Sequence, residues 1–227
     1  MGVMTGRQIA DEICLPFKSI EHILLNLKQQ LFLAYKSDSG MNDFVYMLTE
    51  QGQTKAIIGV ESSAYVGPSP VPFTEYFKSV ESQSIQKENP GIEELQHAFH
   101  DLVLEPHIYF TLGPAINSGR GVFLYGAPGN GKTSIAKRVH KCFNDAIYIP
   151  KTLLISGELL KFYDPQWHKS SDNQGGSYDR RWIKIERSAV IVGGEMDLDS
   201  LGIKYNPQSK ISEAPLQMKA NCGTFVV

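Results

Sequence analysis

The chain has 227 residues, of which 42% are hydrophobic and 20% charged, and its formal net charge is −2 at pH 7. These values are ordinary for a globular protein with one or two hydrophobic cores. They exclude a broadly basic surface of the kind that binds nucleic acid or anionic membranes. The three cysteines, Cys14, Cys142 and Cys222, lie far apart in the sequence, so they indicate reduced thiols rather than a disulfide framework.

The N-terminal sequence MGVMTGRQIADEI lacks the basic and then apolar pattern of a secretory signal peptide. No apolar run approaches the ~18 residues that a membrane-spanning helix requires. The sequence therefore predicts a cytoplasmic protein without a membrane partner.

Residues 1–58 are predicted to form a small α+β domain. Thr5 and Gln8 have the spacing of a capping box at the start of a helix. The strand-like runs LFLAY and FVYML flank the polar sequence KSDSGMND, which indicates a β-hairpin. An apolar stripe at helical spacing predicts a second helix and consists of Ile20, Ile23, Leu24, Leu27 and Leu31. Helix, turn, helix and β-ribbon in this order resemble a winged-helix domain.

The charge of this domain does not favour DNA binding. Residues 1–60 carry five basic and six acidic residues, and the predicted recognition helix contains Glu21 between Lys18 and Lys28. DNA binding usually requires a cluster of basic residues on one face. A protein-docking or structural role is preferred, with DNA as the alternative.

Residues 59–90 are predicted to form a linker. The segment GVESSAYVGPSPVPF contains three prolines, three serines and two glycines, a composition typical of linkers. A helical stripe then predicts a helix that ends near Pro106, and it consists of Ile92, Leu95, Phe99, Leu102 and Val103. This helix would open the third region, residues 91–227.

The most informative segment lies in this third region. The apolar run GVFLY, residues 121–125, is typical of a strand buried in a parallel sheet. The next eight residues, GAPGNGKT from Gly126 to Thr133, match the pattern G-x-x-x-x-G-K-[ST] in full. Ile135 and Val139 follow at helical spacing. Strand, loop and helix thus occur in the order of a phosphate-binding loop.

Each residue type in this loop suits a phosphate ligand. The glycines allow backbone angles at which successive N–H groups point towards an anion, and the helix that follows directs its N-terminus to the same place. Lys132 supplies a positive charge for the outer phosphates and is the predicted catalytic residue, while the hydroxyl of Thr133 is placed to bind Mg²⁺. The predicted nucleotide-binding residues are Gly126, Ala127, Pro128, Gly129, Asn130, Gly131, Lys132, Thr133 and Ser134.

The segment SGRGVFLYGAPGNGKTSIAKRV resembles the AAA+ ATPases, in which the loop often reads G-x-P-G-x-G-K-T after an apolar strand. Pro128 carries much of this resemblance. The C-terminal segment APLQMKANCGTFVV is similar to the sequence that leads into the Walker B strand of AAA+ enhancer-binding activators and related bacterial ATPases. The resemblance covers residues 100–227 and implies the front half of an ATPase module in a longer protein.

In the family, paired acidic residues follow the Walker B strand, and the similarity ends at Val227 before such a pair. One alternative acid is Glu195, which follows the apolar run SAVIV after two glycines. Asp197 and Asp199 are interpreted as capping residues of the next turn. Two candidates therefore remain for the acidic residue that would bind Mg²⁺ or activate water: Glu195 and a residue outside this sequence.

The predicted fold class is α/β, a P-loop NTPase with a parallel sheet flanked by helices, preceded by the winged-helix-like domain. The resemblance implies an ATPase that uses ATP and Mg²⁺, forms homo-oligomeric rings and remodels a macromolecular partner, most simply a protein. Two alternatives remain: a nucleotide-dependent switch without hydrolysis, and a P-loop kinase for small molecules. Pro128 and the N-terminal domain weigh against the kinase.

Overall fold

The computed structural model describes residues 2–40, 42–143, 146–171, 179–193 and 198–227. Over these ranges the chain is a mixed α/β protein. The helices are α1 Gly6–Glu12, α2 Phe17–Gln29, α3 Glu50–Ser62, α4 Phe73–Ser82, α5 Ile92–Ala98, α6 Pro106–Asn117, α7 Lys132–Ala136 and α8 Leu216–Lys219. The strands are β1 Met4–Thr5, β2 Leu33–Gly40, β3 Asp43–Leu48, β4 Val71–Pro72, β5 Ala146–Pro150, β6 Thr152–Ile155, β7 Glu158–Lys161, β8 Trp182–Glu186, β9 Ala189–Ile191, β10 Lys204–Asn206, β11 Ile211–Glu213 and β12 Thr224–Val226.

The N-terminal region forms the predicted capping box and a hairpin whose strands extend into the predicted loop, since β2 continues to Gly40 and β3 begins at Asp43. The Thr5 hydroxyl accepts a hydrogen bond from the Gln8 N–H at 3.1 Å, and the Gln8 side chain accepts one from the Thr5 N–H at 2.8 Å. Strands β2 and β3 pair antiparallel, and β1 pairs with the other edge of β3. Ile20 and Leu24 of α2 are buried, whereas Ile23 of the predicted stripe is 47% exposed. Whether this arrangement is a winged helix remains a prediction.

A buried carboxylate joins the first helix to the hairpin. Asp43 is 2% exposed, and it accepts hydrogen bonds from the N–H groups of Gly6 at 2.9 Å and Arg7 at 3.0 Å. These are N–H groups at the start of α1, which have no acceptor inside the helix. A Cβ at Gly6 would lie 2.5 Å from the ring of Phe17, so the close packing of α1 requires glycine there.

The predicted linker, residues 59–90, contains regular structure. Its first residues continue α3, which ends at Ser62, and Val71–Pro72 pair in parallel with β6. Val71 is fully buried. The Tyr65 hydroxyl donates to the Pro68 carbonyl at 2.7 Å. The pairing of Val71–Pro72 with β6 ties the segment to the rest of the protein, while the proposed domain boundaries stay predictions.

The largest sheet is mixed, with the order β10–β11–β7–β6–β4. The prediction of a parallel sheet is therefore wrong for this sheet. The physical reason lies in the two-residue turn between β6 and β7, where Ser156 and Gly157 have φ angles of 52° and 87°. Two central residues with positive φ make the tight turn of an antiparallel hairpin. The residues buried around this sheet include Leu153, Leu160 and Phe162.

A second core lies beneath the segment that contains the phosphate-loop motif. Its buried residues include Leu95 of α5, Phe99 directly after α5 and Leu112 of α6. Ile135 of α7 and the following Val139 pack against this cluster. Helix α5 is shorter than predicted and ends at Ala98. This core fixes the position of the loop because α7 follows the loop directly.

None of the helices in the described ranges is both long enough and apolar enough to cross a membrane.

Candidate functional site

The backbone of the glycine-rich loop adopts angles that favour glycine. The φ angles are 148° at Gly126, 85° at Gly129 and 72° at Gly131. A Cβ at any of these positions would meet no heavy atom within 4 Å. The requirement for glycine therefore comes from the backbone conformation rather than from crowding. The loop is exposed, so a ligand can approach its main chain.

The ammonium group of Lys132 lies against the main chain of the loop. Its Nζ donates hydrogen bonds to the carbonyl oxygens of Gly126 and Ala127, both at 2.9 Å. No carboxylate in the described part of the chain forms an ion pair with Lys132. The loop thus holds a positive charge whose partners are two neutral carbonyl groups, and this charge can attract an anion.

Helix α7 begins where the loop ends. The Ile135 N–H donates to the Gly131 carbonyl at 2.9 Å, which is the first bond of the helix. The N–H groups of Lys132, Thr133 and Ser134 have no intrahelical acceptor, as at the start of any helix. They add donors to the edge of the loop. The helix has only five residues, so the loop and Lys132 are the main source of anion attraction here.

Thr133 and Ser134 differ in their surroundings. Thr133 is exposed, and no hydrogen bond to another described residue engages its hydroxyl group. Ser134 is half-buried, and its carbonyl accepts a hydrogen bond from Arg138 at 2.7 Å. The free hydroxyl of Thr133 is a hard oxygen donor of the type that Mg²⁺ prefers. Thr133 is therefore suited to the predicted role of a Mg²⁺ ligand. Ser134 instead contributes a hydrogen bond within the helical segment, through its carbonyl and Arg138.

A salt bridge that the sequence analysis missed holds the end of α7. Arg138 donates from Nε to Asp101 Oδ1 at 2.8 Å and from Nη2 to Asp101 Oδ2 at 2.6 Å. The hydrogen bonds from Arg138 are the main reason that the pKa of Asp101 falls to about 2. The pair joins the segment after α5 to the segment after α7, and these lie 37 residues apart. Nothing in local sequence spacing indicates such a contact.

The segment before the loop does not form the predicted buried strand. Gly121–Tyr125 forms no strand, and Phe123 and Tyr125 are 86% and 85% exposed. The two rings stack with centroids 6.3 Å apart. The prediction failed because a strand needs a neighbouring backbone, and no described segment pairs with this one.

The two apolar runs that were candidates for the Walker B strand are neighbours in space. The run that precedes Glu195 forms β9, and the C-terminal run forms β12, which pairs with β9 in parallel. Glu195 and Asp197 lie outside the described residues. Asp199 is exposed and lies within the 3₁₀ turn Leu198–Leu201, and its capping role stays a prediction.

A groove of about 470 Å³ connects β12 with the phosphate loop. The residues that line it include Lys132 and Thr133 together with Gly223–Val227. The structure thus brings the C-terminal strand to the start of α7. In the described part of the chain, the residues that line this groove include no acidic side chain, and no group of three His, Cys, Asp or Glu residues could hold a metal ion.

No protein-family model matches the chain, and a search of curated proteins finds no significant match.

Proposed function

We propose that the chain binds a Mg²⁺–nucleoside triphosphate, with ATP as the nucleotide, at the loop from Gly126 to Ser134. The observation that carries this proposal is the position of the Lys132 ammonium at 2.9 Å from two carbonyl oxygens of a loop with three left-handed glycines. Such a loop offers main-chain N–H groups and one mobile positive charge to the same anion. The choice of ATP over GTP rests on the resemblance to AAA+ proteins.

The residues of the loop suit distinct parts of the ligand. The backbone from Gly126 to Gly131 would surround the β-phosphate, and Lys132 would leave its carbonyl partners to meet the outer phosphates. The Thr133 hydroxyl would bind Mg²⁺, whose charge offsets that of the phosphates. Because Lys132 has only neutral partners in the described chain, moving its ammonium to a phosphate breaks no ion pair.

In this proposal, nucleotide binding drives an AAA+-type ATPase cycle that remodels a macromolecular partner, most simply a protein. The resemblance to AAA+ proteins also supports a ring-shaped homo-oligomer. A nucleotide-dependent switch without hydrolysis is the second candidate, and one observation favours it. The described residues that line the groove beside Lys132 include no acidic group that could activate water.

Titration calorimetry with Mg²⁺–ATP tests the binding step. We expect saturable heat with the unmodified chain and a loss of affinity of at least about 100-fold in Lys132→Ala, because the strongest charge–phosphate contact is removed. Lys137→Ala is the matched control, since Lys137 is an exposed lysine at the end of the same short helix. Equal affinity in the Lys132 variant and the unmodified chain would refute the proposal.

Release of inorganic phosphate separates the two candidate functions. If the chain binds Mg²⁺–ATP and releases phosphate in a Lys132-dependent manner, the ATPase is supported. Binding without release, also in the presence of candidate protein partners, supports the switch. Transfer of the γ-phosphate to a small metabolite would instead identify a kinase.

A further inference from the structure

Arg187 is a buried cation that contacts segments distant from it in the sequence. The residue follows β8 directly and is 4% exposed. Its Nη2 donates to Glu88 Oε1 at 2.7 Å, and Glu88 lies between α4 and α5. Burial is the main reason that the pKa of Arg187 is lowered, whereas the Glu88 carboxylate acts in the opposite direction. Because burial of a charge costs free energy, the contacts of Arg187 must offset that cost.

The guanidinium group holds the turn that leads into β12. Nη1 of Arg187 donates to the carbonyl oxygen of Cys222, and to that of Gln83 at 3.3 Å. Gly223 follows in the same turn, and a Cβ there would lie 2.1 Å from the Ser188 carbonyl oxygen. The turn therefore packs directly against the residue that follows Arg187. Arg187 and its neighbour together fix the backbone before β12.

The same guanidinium lies over an aromatic ring of the second core. Arg187 Cζ is 5.9 Å from the centroid of the Phe143 ring, which is within the range of a cation–π contact. Phe143 is buried and belongs to the cluster against which Ile135 and Val139 pack. Ile135 lies in α7, the helix that begins at Lys132. Arg187 thus joins the core that supports the phosphate loop to the turn before β12.

We infer that Arg187 is a positioning residue of the proposed nucleotide site, an inference that rests on the proposed function. Its planar guanidinium engages the Glu88 carboxylate, two carbonyl groups and the Phe143 ring together, and one ammonium group does not reproduce this set of contacts. These contacts fix the second core relative to the turn before β12. The place of α7, and with it that of Lys132, depends on this core. Arg187 acts through Phe143 and α7, so the role requires no contact with the nucleotide.

Arg187→Lys tests this role because it keeps the positive charge and loses the planar group. We expect the affinity for Mg²⁺–ATP, measured by titration calorimetry, to fall by about tenfold. Arg181→Lys is the matched control and should leave the affinity unchanged. Arg181 is a half-buried arginine that also pairs with carboxylates, and its partners Glu75 and Asp179 lie outside the second core.

A second comparison separates a change of position from a general loss of stability. Gly52→Ala introduces a Cβ against the Phe32 carbonyl oxygen, so it should destabilise the fold without touching the second core. Urea denaturation of Arg187→Lys and Gly52→Ala identifies conditions in which both variants are folded. Under those conditions we expect weaker binding of Mg²⁺–ATP only in Arg187→Lys. Equal affinity of the two variants would overturn the inference.

A double variant keeps the test independent of misfolding. Arg187→Met combined with Glu88→Gln removes both charges, so that neither is left buried without the other. The double variant also loses the bonds to the carbonyls of Cys222 and Gln83. We expect it to bind Mg²⁺–ATP at least as weakly as Arg187→Lys does. An affinity equal to that of the unmodified chain would contradict the role of Arg187.

Amide hydrogen exchange without nucleotide reports on the segments that Arg187 holds. We expect faster exchange at residues 135–142 and at Thr224–Val226 in Arg187→Lys, and no change in Arg181→Lys. A loss of affinity without faster exchange would indicate that Arg187 contacts the ligand, and the positioning role would then be wrong.

The outcome for the unmodified chain separates this inference from the proposed function. If the unmodified chain does not bind Mg²⁺–ATP, the proposed function is wrong and this inference fails with it. If the unmodified chain and Arg187→Lys bind Mg²⁺–ATP equally well, only this inference is wrong.

Discussion

Gly131 shows how one backbone angle controls the start of the site. Its φ of 72° places it in the left-handed region, directly before Lys132. An L-residue there costs about 1–2 kcal/mol, because its Cβ approaches the next carbonyl. A Cβ at Gly131 would meet no other heavy atom within 4 Å, so this free-energy cost comes from the backbone conformation and not from a steric clash.

We therefore expect Gly131→Ala to weaken binding of Mg²⁺–ATP by about tenfold, as the loop must leave the conformation that presents its N–H groups. Gly121→Ala is the matched control, because Gly121 has no positive φ and an equally open Cβ position. Calorimetry on both variants provides the measurement. Equal affinity of the two would show that the left-handed angle at Gly131 is not required.

Much of this residue-level chemistry was predictable because it depends on local spacing. The loop motif and the capping box of Thr5 and Gln8 each involve residues a few positions apart. The hydrogen bonds of the capping box are made between these two residues. The salt bridge of Arg138 with Asp101 was not predictable. It depends on α5, α6 and α7 folding onto one core, which no local pattern encodes.

Helix α3 provides a direct test at the scale of one element. It contains two glycines with opposite surroundings. A Cβ at Gly52 would lie 2.0 Å from the Phe32 carbonyl oxygen, whereas a Cβ at Gly59 would meet nothing within 4 Å. Gly52 thus allows the close approach of the helix to the end of the hairpin, and Gly59 only adds flexibility.

We expect Gly59→Ala to raise the free energy of unfolding by about 0.5–1 kcal/mol, as alanine has less backbone freedom to lose. Gly52→Ala should lower the free energy of unfolding by about 1–3 kcal/mol, because the helix must move away from Phe32. Urea denaturation of both variants measures the difference. A stabilising effect at Gly52 would show that the contact with Phe32 is not formed.

The short helix α7 depends on its tie to Asp101. Arg138 bonds both that carboxylate and the carbonyl of Ser134, so it connects the phosphate-loop helix to the segment after α5. We expect Arg138→Gln to weaken Mg²⁺–ATP binding by about fivefold through misplacement of the loop, without removing a ligand contact. Lys137→Gln, one residue earlier and exposed, should leave affinity unchanged. Calorimetry measures the affinity of both variants for Mg²⁺–ATP. A similar loss of affinity in both would indicate that the positive charge near the loop matters, and not the bond from Arg138 to Asp101.

At the scale of the whole molecule, a buried histidine joins distant segments. His168 is 1% exposed, accepts a hydrogen bond at Nδ1 from the Asp164 N–H, and donates from Nε2 to the Lys219 carbonyl at 2.9 Å. These two roles require the neutral ring. Burial is the main reason that the pKa of His168 is lowered. Lys219 in turn donates to the Asp164 carboxylate at 2.6 Å.

This arrangement predicts stability that falls in mild acid. Above the unfolded pKa of about 6.5, His168 is neutral in both states and its bonds are intact. As the pH falls below that value, the unfolded chain gains a proton that folded His168 does not bind, so the free energy of unfolding decreases by up to about 1.4 kcal/mol per pH unit. His140, whose pKa is also lowered mainly by burial, acts in the same direction.

Urea denaturation between pH 8 and pH 5.5 tests this prediction. We expect His168→Gln to be less stable at pH 8, because glutamine does not reproduce both bonds, and to show a shallower decline in acid. His140→Gln is the comparison, since it removes the other histidine whose pKa is lowered by burial while the His168 bonds remain. An unchanged slope in the His168 variant would contradict the assignment of the neutral ring.

The sequence by itself determined the features that depend on residues close together in the chain. These are the glycine loop with its lysine, the capped first helix, the N-terminal hairpin and the apolar runs of β9 and β12. The tertiary structure decided which segments pair. Val71–Pro72 of the predicted linker became a strand of a mixed sheet, while the apolar run Gly121–Tyr125 stayed exposed. A strand exists only with a neighbour that accepts its backbone hydrogen bonds, and a residue's own sequence context does not specify that neighbour.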